Sequence, residues 1–459
     1  AFAAAALVFD RAYCQQAVCS PSRNSFMSGR RPDTTRTWNF KVNFRAAGVG
    51  SNWTAMPEYF KKHGYFTAGT GKVYHPNEPP NNDPPSWTEP YNPYGQEGPG
   101  CPPCPPNAVW CGNSWCSLDR NSTEYNFSAI GGQDEWIAND GIRLLDLAAA
   151  SGRPFFVAVG LHKPHTPYSY PSEMDHLYGP VGSISVPSAA SRTTPIGSPP
   201  VAWNMCNAIH GYSETSPMSD EGTRQHRRAY YCAVSHTDQL IGRLLGKLAA
   251  LKQDSTTMVV ITGDHGYELG EHDMWCKKNN WELGVRVPLI MRVPWIPASL
   301  GQRATVLAEL VDLYPTFAEL VGLPPPVEIV PGTGGVSLAA VFTSPSANHT
   351  QLKPYAFSQY PRCGPGPLLY ANRDCIEVAA SNFSTMGYTV RDDSFRLTEW
   401  KRWDGDNLSP VWDDTVAMEL YDHRTDLGQD LSGFGNINVA NRTEFSTVVQ
   451  KLSQALRQQ

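Results

Sequence analysis

The chain has 459 residues, enough for one large domain with a small companion or for two to three ordinary domains. Its formal net charge of −6, from 37 Lys and Arg against 43 Asp and Glu with no long run of either sign, leaves no electrostatic footprint for nucleic acid. At 41% apolar and 11% aromatic residues the composition is that of a folded chain, and no stretch reaches the about 18 consecutive apolar residues that span a bilayer.

Ala1 to Phe9 is an apolar run with no basic segment before it and with Asp10 and Arg11 directly after it, which predicts a helix of the fold rather than a signal-peptide core. No Met opens the chain, so a processed or truncated product is expected. Met56 to His63 predicts a short helix closed by Gly64, with a strand over Tyr65 to Thr70. The proline-rich stretch from Pro76 to Pro106 excludes regular structure, because proline removes a donor and restricts its predecessor; it reads as a surface insertion. Pro187 to Pro200 reads as a second such loop.

Phe155 to Gly160 and Met258 to Thr262 are short β-branched and apolar runs followed by turn formers, the pattern of buried strands. Between them Val234, Leu240, Ile241, Leu244, Leu245, Leu248 and Leu251 recur at spacings of three and four, predicting a helix over Arg228 to Leu251 and a crossover in a largely parallel sheet. Pro315 opens a helix that ends at Val321. Near the C-terminus, Met386 to Val390, Phe395 to Trp400 and Met418 to Tyr421 alternate as antiparallel strands do.

Four of the eleven cysteines, Cys101, Cys104, Cys111 and Cys116, crowd into sixteen residues and predict a disulfide cluster that staples the insertion; their spacing matches a zinc site only loosely. Glycan sequons at Asn52, Asn121, Asn126, Asn348, Asn382 and Asn441 point the same way, to a secretory-pathway protein, lysosomal or extracellular.

Cys19-Ser-Pro-Ser-Arg23, followed by Ser28-Gly-Arg30, is the most informative stretch. Taken alone, Cys19 is either a thiolate nucleophile at a helix start or half of a disulfide. The motif resembles the C-x-P-S-R signature of type I sulfatases. Further blocks, Gln15 to Cys19, Gly29 to Arg36, Pro57 to Phe60, Gly71 to Pro76, Leu161 to Pro167, Gly263 to Gly266, Leu269 to His272, Ser358 to Arg362 and Glu419 to Asp426, are similar to the iduronate-2-sulfatase group.

The resemblance implies an α/β fold: an alkaline-phosphatase-like sandwich with a large mixed, mostly parallel sheet flanked by helices over residues 1–380, and a small C-terminal α+β subdomain with an antiparallel sheet over 381–459. It also implies a Cys363–Cys375 disulfide. Cys19 would become formylglycine through a formylglycine-generating enzyme, and the hydrated aldehyde would attack the sulfur of a sulfated sugar, the 2-position of a uronate. A sulfate monoester needs cations around its oxygens, an activated nucleophile and a proton for the leaving oxygen. Arg23, Lys72 and Lys277 supply the cations, His75 orients the diol and His162 donates the proton. Lys163, His165 and Tyr267 contact substrate, and position 19, Asp264 and His265 hold one divalent cation, calcium by resemblance.

The chain departs from the family in one respect. Type I sulfatases carry an Asp-Asp metal pair some tens of residues before the nucleophile, whereas here 18 residues precede Cys19 and the single acid among them, Asp10, reads as a helix-surface residue without a partner. The catalytic domain is therefore expected to lack its first strand, either as a fragment of an active hydrolase or as a degenerate glycan-binding relative. A phosphatase or phosphodiesterase of the same superfamily is a weaker alternative, since it would place Ser or Thr at position 19 and use two zinc ions.

Overall fold

The apolar N-terminal run is a strand, not a helix. In the computed structural model a 3₁₀ turn covers Phe2–Ala5, and Leu7–Tyr13 forms a strand inside a four-stranded sheet. An apolar run this short has no periodicity to separate helix from strand. The charged pair Asp10 and Arg11 sits at a bulge, where the register with both neighbours shifts. Asp10 is buried and ion-paired with Arg303, while Arg11 donates to the carbonyl of Thr305 and pairs with Asp393 at 2.9 Å, so neither charge faces apolar neighbours unpaired. The expectation that Asp10 is a helix-surface residue is overturned, since it lies buried in a strand.

The structure describes residues 1–75, 82–93, 111–112, 114–123, 132–206, 209, 211–213, 216–329, 334–364, 375–426 and 434–458. They fall into two units: Ala1–Met56 with Ser188–Met205 and Ser255–Gln459, and Pro57–Pro187 with Cys206–Asp254.

In the first unit the sheet order is Arg303–Glu309, Leu7–Tyr13, Arg286–Arg292, Val259–Thr262. The first pair is parallel and the other two antiparallel, so the sheet is mixed, and the strand expected at Met258 to Thr262 is present with antiparallel company. A second, antiparallel sheet runs in chain order through Ala356–Cys363, Phe383–Arg391, Phe395–Asp404 and Ser409–Asp422. Its first strand precedes residue 381, so this layer straddles the boundary drawn from sequence. The closing helix Ser446–Leu456 lays Leu452, Ala455 and Leu456 on the core that includes Trp38, Met386 and Leu397, and each buried leucine contributes about 1.5–3 kcal/mol. Arg31 of the Gly29 to Arg36 block is locked in a buried ion cluster with Glu309, which also takes Lys353 at 2.6 Å. Burial would raise the Glu309 pKa, but the two cations hold it at about 2.

In the second unit Phe66–Gly71 and Phe155–Gly160 pair in parallel, from Phe66 opposite Phe155 to Gly71 opposite Gly160. Helix Gln133–Ala150 covers them with Leu144 and Ala148. Helix Asp220–Ala250 begins eight residues before the predicted start at Arg228, because Ser219 caps it by accepting from the Gly222 amide while Asp220 and Glu221 sit in its first turn.

The Cys363–Cys375 disulfide is formed, with Cα atoms 5.6 Å apart. Cys111, Cys116, Cys206 and Cys276 are each disulfide-bonded as well. Cys101 and Cys104 lie outside the described residues, as do Asn126 and most of the Pro76 to Pro106 insertion. Cys14, Cys19 and Cys232 carry thiols.

Candidate active site

Cys19 is the first residue of helix Cys19–Ser28, entered from an extended Val18 and closed by Gly29 in the left-handed region at φ 68°. A β-carbon on Gly29 would also run into Ile329, which is why glycine ends this helix. Cys19 therefore stands at the positive end of the helix dipole, where a developing anion is favoured. Its Sγ marks where the oxygens of a hydrated aldehyde would sit. One turn on, Ser22 and Arg23 share its face.

The segment after strand Val259–Thr262 meets this helix end. Arg23 Nε donates to Asp264 Oδ2 at 3.0 Å, and the Ser22 hydroxyl donates to the Asp264 carbonyl. His265 Nε2 lies 3.4 Å from Cys19 Sγ. Lys277 Nζ is 3.2 Å from that sulfur and 3.1 Å from His265 Nε2. The other ring nitrogen, His265 Nδ1, is 2.8 Å from the Gly266 carbonyl. A carbonyl only accepts, so Nδ1 carries a proton, and an ammonium only donates, so Nε2 meets Lys277 with its lone pair. Gly266 permits this: a β-carbon there would come 2.0 Å from the Leu283 carbonyl oxygen.

Burial would raise the Asp264 pKa, yet the Arg23 guanidinium above all outweighs it and holds the carboxyl below the usual aspartate value. The carboxylate is thus kept ionised. Among the described residues, Cys19, Asp264 and His265 form the group able to hold a metal ion, their donor atoms lying within 4.8 Å of one another. An ionised carboxylate and an unprotonated imidazole nitrogen fit a divalent cation. Alone they do not complete the six to eight oxygens that calcium takes.

The second unit builds its own cluster. Lys72 and His162 follow the ends of the two paired parallel strands, and the Lys72 amide donates to the Gly160 carbonyl at 2.7 Å. Gly71, at φ 75°, allows this approach: a β-carbon would meet the Gly160 oxygen at 2.2 Å. Asp134, buried in the first turn of helix Gln133–Ala150, accepts from the His162 amide at 2.7 Å and the Lys163 amide at 2.8 Å. Thr237 donates to the Lys163 carbonyl. The Lys163 ammonium turns back onto the carbonyls of Pro167 at 2.8 Å and His165 at 3.3 Å. The rings of His162 and His165 are 6.3 Å apart.

The first unit thus brings together Cys19, Arg23, Asp264, His265 and Lys277, and the second gathers Lys72, His162, Lys163 and His165. His75 lies three residues beyond Lys72 in irregular backbone, and Tyr267 is half-buried beside Gly266. Sequence reasoning missed Ser22 and Asp134. The motif itself contained Ser22, but nothing local shows that Asp134 grips a loop 28 residues away.

A family model described as Sulfatase matches residues 1–323. Human iduronate 2-sulfatase is 34% identical over an alignment covering 92% of this chain and 84% of the human protein. Arylsulfatase K of Xenopus laevis is 26% identical, covering 88% and 69%. Two solved structures share the fold: a phosphonate monoester hydrolase from Silicibacter pomeroyi (TM-score 0.67, 19% identity, 99% of this chain and 88% of that one) and a 2-O GAG sulfatase (TM-score 0.67, 18% identity, 99% and 84%).

Proposed function

The chain belongs to the sulfatase family, and from that premise we propose that it removes the 2-O-sulfate of a uronate in a sulfated glycan, using formylglycine made from Cys19. The observation that carries this reading is the convergence of Lys277, His265 and Cys19 within 3.4 Å of one another, next to the Arg23–Asp264 pair. The name of the human relative supports the choice of sugar. A hydrated formylglycine offers two hydroxyls on one carbon, one to attack sulfur and one whose deprotonation later expels sulfate and restores the aldehyde. A divalent cation held by Asp264 and His265, calcium by resemblance, would polarise a sulfate oxygen.

The chain's own residues do the rest. Lys277 and Arg23 offset charge on the sulfate oxygens, and the helix end favours the anion that develops at position 19. His265 is held by the Gly266 carbonyl with its lone pair inward. In this reading Lys72 adds a third cation, His75 orients the nucleophile, His162 protonates the departing sugar oxygen, and Lys163, His165 and Tyr267 bind substrate.

Of the sequons named above, the asparagines within the described residues, Asn52, Asn121, Asn348, Asn382 and Asn441, are all exposed, which supports a glycosylated secretory-pathway protein that meets a formylglycine-generating enzyme during maturation and ends in the lysosome or outside the cell. No helix among the described residues is long and apolar enough to cross a membrane.

Assaying the matured protein against an aryl sulfate, an aryl phosphate and a disaccharide bearing a 2-O-sulfated uronate tests the proposal. Release of sulfate from the disaccharide, with aryl phosphate turned over far more slowly, is expected. Preference for phosphate would transfer the reading to a phosphatase, and no turnover with formylglycine in place would transfer it to a glycan-binding relative.

A further inference from the structure

The segment that carries Lys277 is strained. Besides Gly270 at φ 95°, four non-glycine residues stand in the left-handed region: His272 at 54°, Asp273 at 51°, Cys276 at 61° and Lys278 at 82°. A β-carbon disfavours that region, so such residues persist only where their surroundings over-determine them. Two of them flank Lys277 directly.

Several contacts fix the outline of the loop. Glu268 and Leu269 pair with Cys276 and Trp275 in a two-residue ladder. The Lys278 amide donates to the Ala17 carbonyl at 3.1 Å, two residues before Cys19. Trp203 Nε1 donates to the Asp273 carbonyl at 2.9 Å, and the Trp281 ring lies 5.0 Å from the His272 ring. One group touches the segment on both sides of Lys277. Glu268, fully buried, places one carboxylate oxygen 3.5 Å from His272 Nδ1 and the other 3.4 Å from Asn279 Nδ2.

We propose that Glu268 is a positioning residue for Lys277: through His272 on one side and Asn279 on the other, its carboxylate holds the left-handed loop in the shape that delivers the ammonium to position 19. The inference rests on the reading of Lys277 as part of the cationic shell around the sulfate. Burial disfavours a charged His272, yet Glu268, then Glu271 and Glu419, raise its pKa above the ordinary histidine value. Burial also raises the Glu268 pKa, against the opposing pull of His272.

A double-mutant cycle on the full-length matured enzyme, read as kcat/KM on an aryl sulfate, tests this. E268Q is expected to cost roughly tenfold or more, the scale of a misplaced catalytic group, and to weaken inhibition by inorganic sulfate. In the K277M background the same change is expected to cost less than about twofold, because a residue acting through Lys277 has nothing left to aim. Should E268Q fold poorly, H272N carries the test, since asparagine tolerates the left-handed region. Equal losses with and without Lys277, or full activity of both E268Q and H272N, would overturn the proposal. Full activity of K277M itself would instead overturn the role given to Lys277.

Discussion

Replacing Cys19 by alanine is expected to lower kcat/KM toward an aryl sulfate by on the order of 10⁴-fold or more, the scale on which enzymes lose activity with their nucleophile. The fold is expected to survive. Position 19 opens a ten-residue helix, alanine is the best helix former, and only the small group beyond the β-carbon is lost. Lys277 and His265 keep each other as partners at 3.1 Å, so no buried polar group loses its last contact. The melting temperature of C19A is therefore expected within a few degrees of wild type. A folded C19A protein that still hydrolyses sulfate esters would remove the nucleophile from the account.

The second large effect belongs to Asp264. D264N is expected to reduce kcat/KM by roughly 10²–10³-fold and to abolish any dependence of activity on added divalent cation after chelation, since the amide loses the charge that both Arg23 and a cation require. Stability should fall as well, because the guanidinium of the buried Arg23 keeps a weaker acceptor. The pH dependence has a definite sign. A carboxyl held below its unfolded value contributes stability that is complete above that unfolded value, about 3.9 for aspartate, and that disappears as pH falls through the depressed folded value. The stability difference between wild type and D264N, measured by denaturant titration, is therefore expected to be constant from neutral pH to about 5 and to shrink in stronger acid. A difference that grows on acidification would contradict the ion pair.

Much of the site was legible because it is local or family-marked. Arg23 lies on the Cys19 face for the reason its spacing gives, and Asp264 and His265 follow a strand that its β-branched residues announce. Strand Phe155–Gly160 is found at its predicted bounds. What escaped notice was set by partners distant in the chain. Leu7–Tyr13 becomes a strand because neighbours from residues 286–292 and 303–309 receive it, and its Asp10 and Arg11 are tolerated because a bulge hands them to Arg303 and Asp393. The start of helix Asp220–Ala250 is fixed by a serine cap and acidic residues, which an apolar-stripe reading does not weigh. Asp134 and Glu268 act on backbone and loop shape, and neither a motif nor a period marks that work.

The central claim, that position 19 carries an aldehyde able to attack sulfur, is tested most directly by mass spectrometry of the peptide spanning Cys19 from protein expressed in the secretory pathway. The account predicts the mass of formylglycine or its hydrate in catalytically active preparations, with activity rising in proportion to conversion. An active preparation whose peptide carries an unmodified thiol would contradict it.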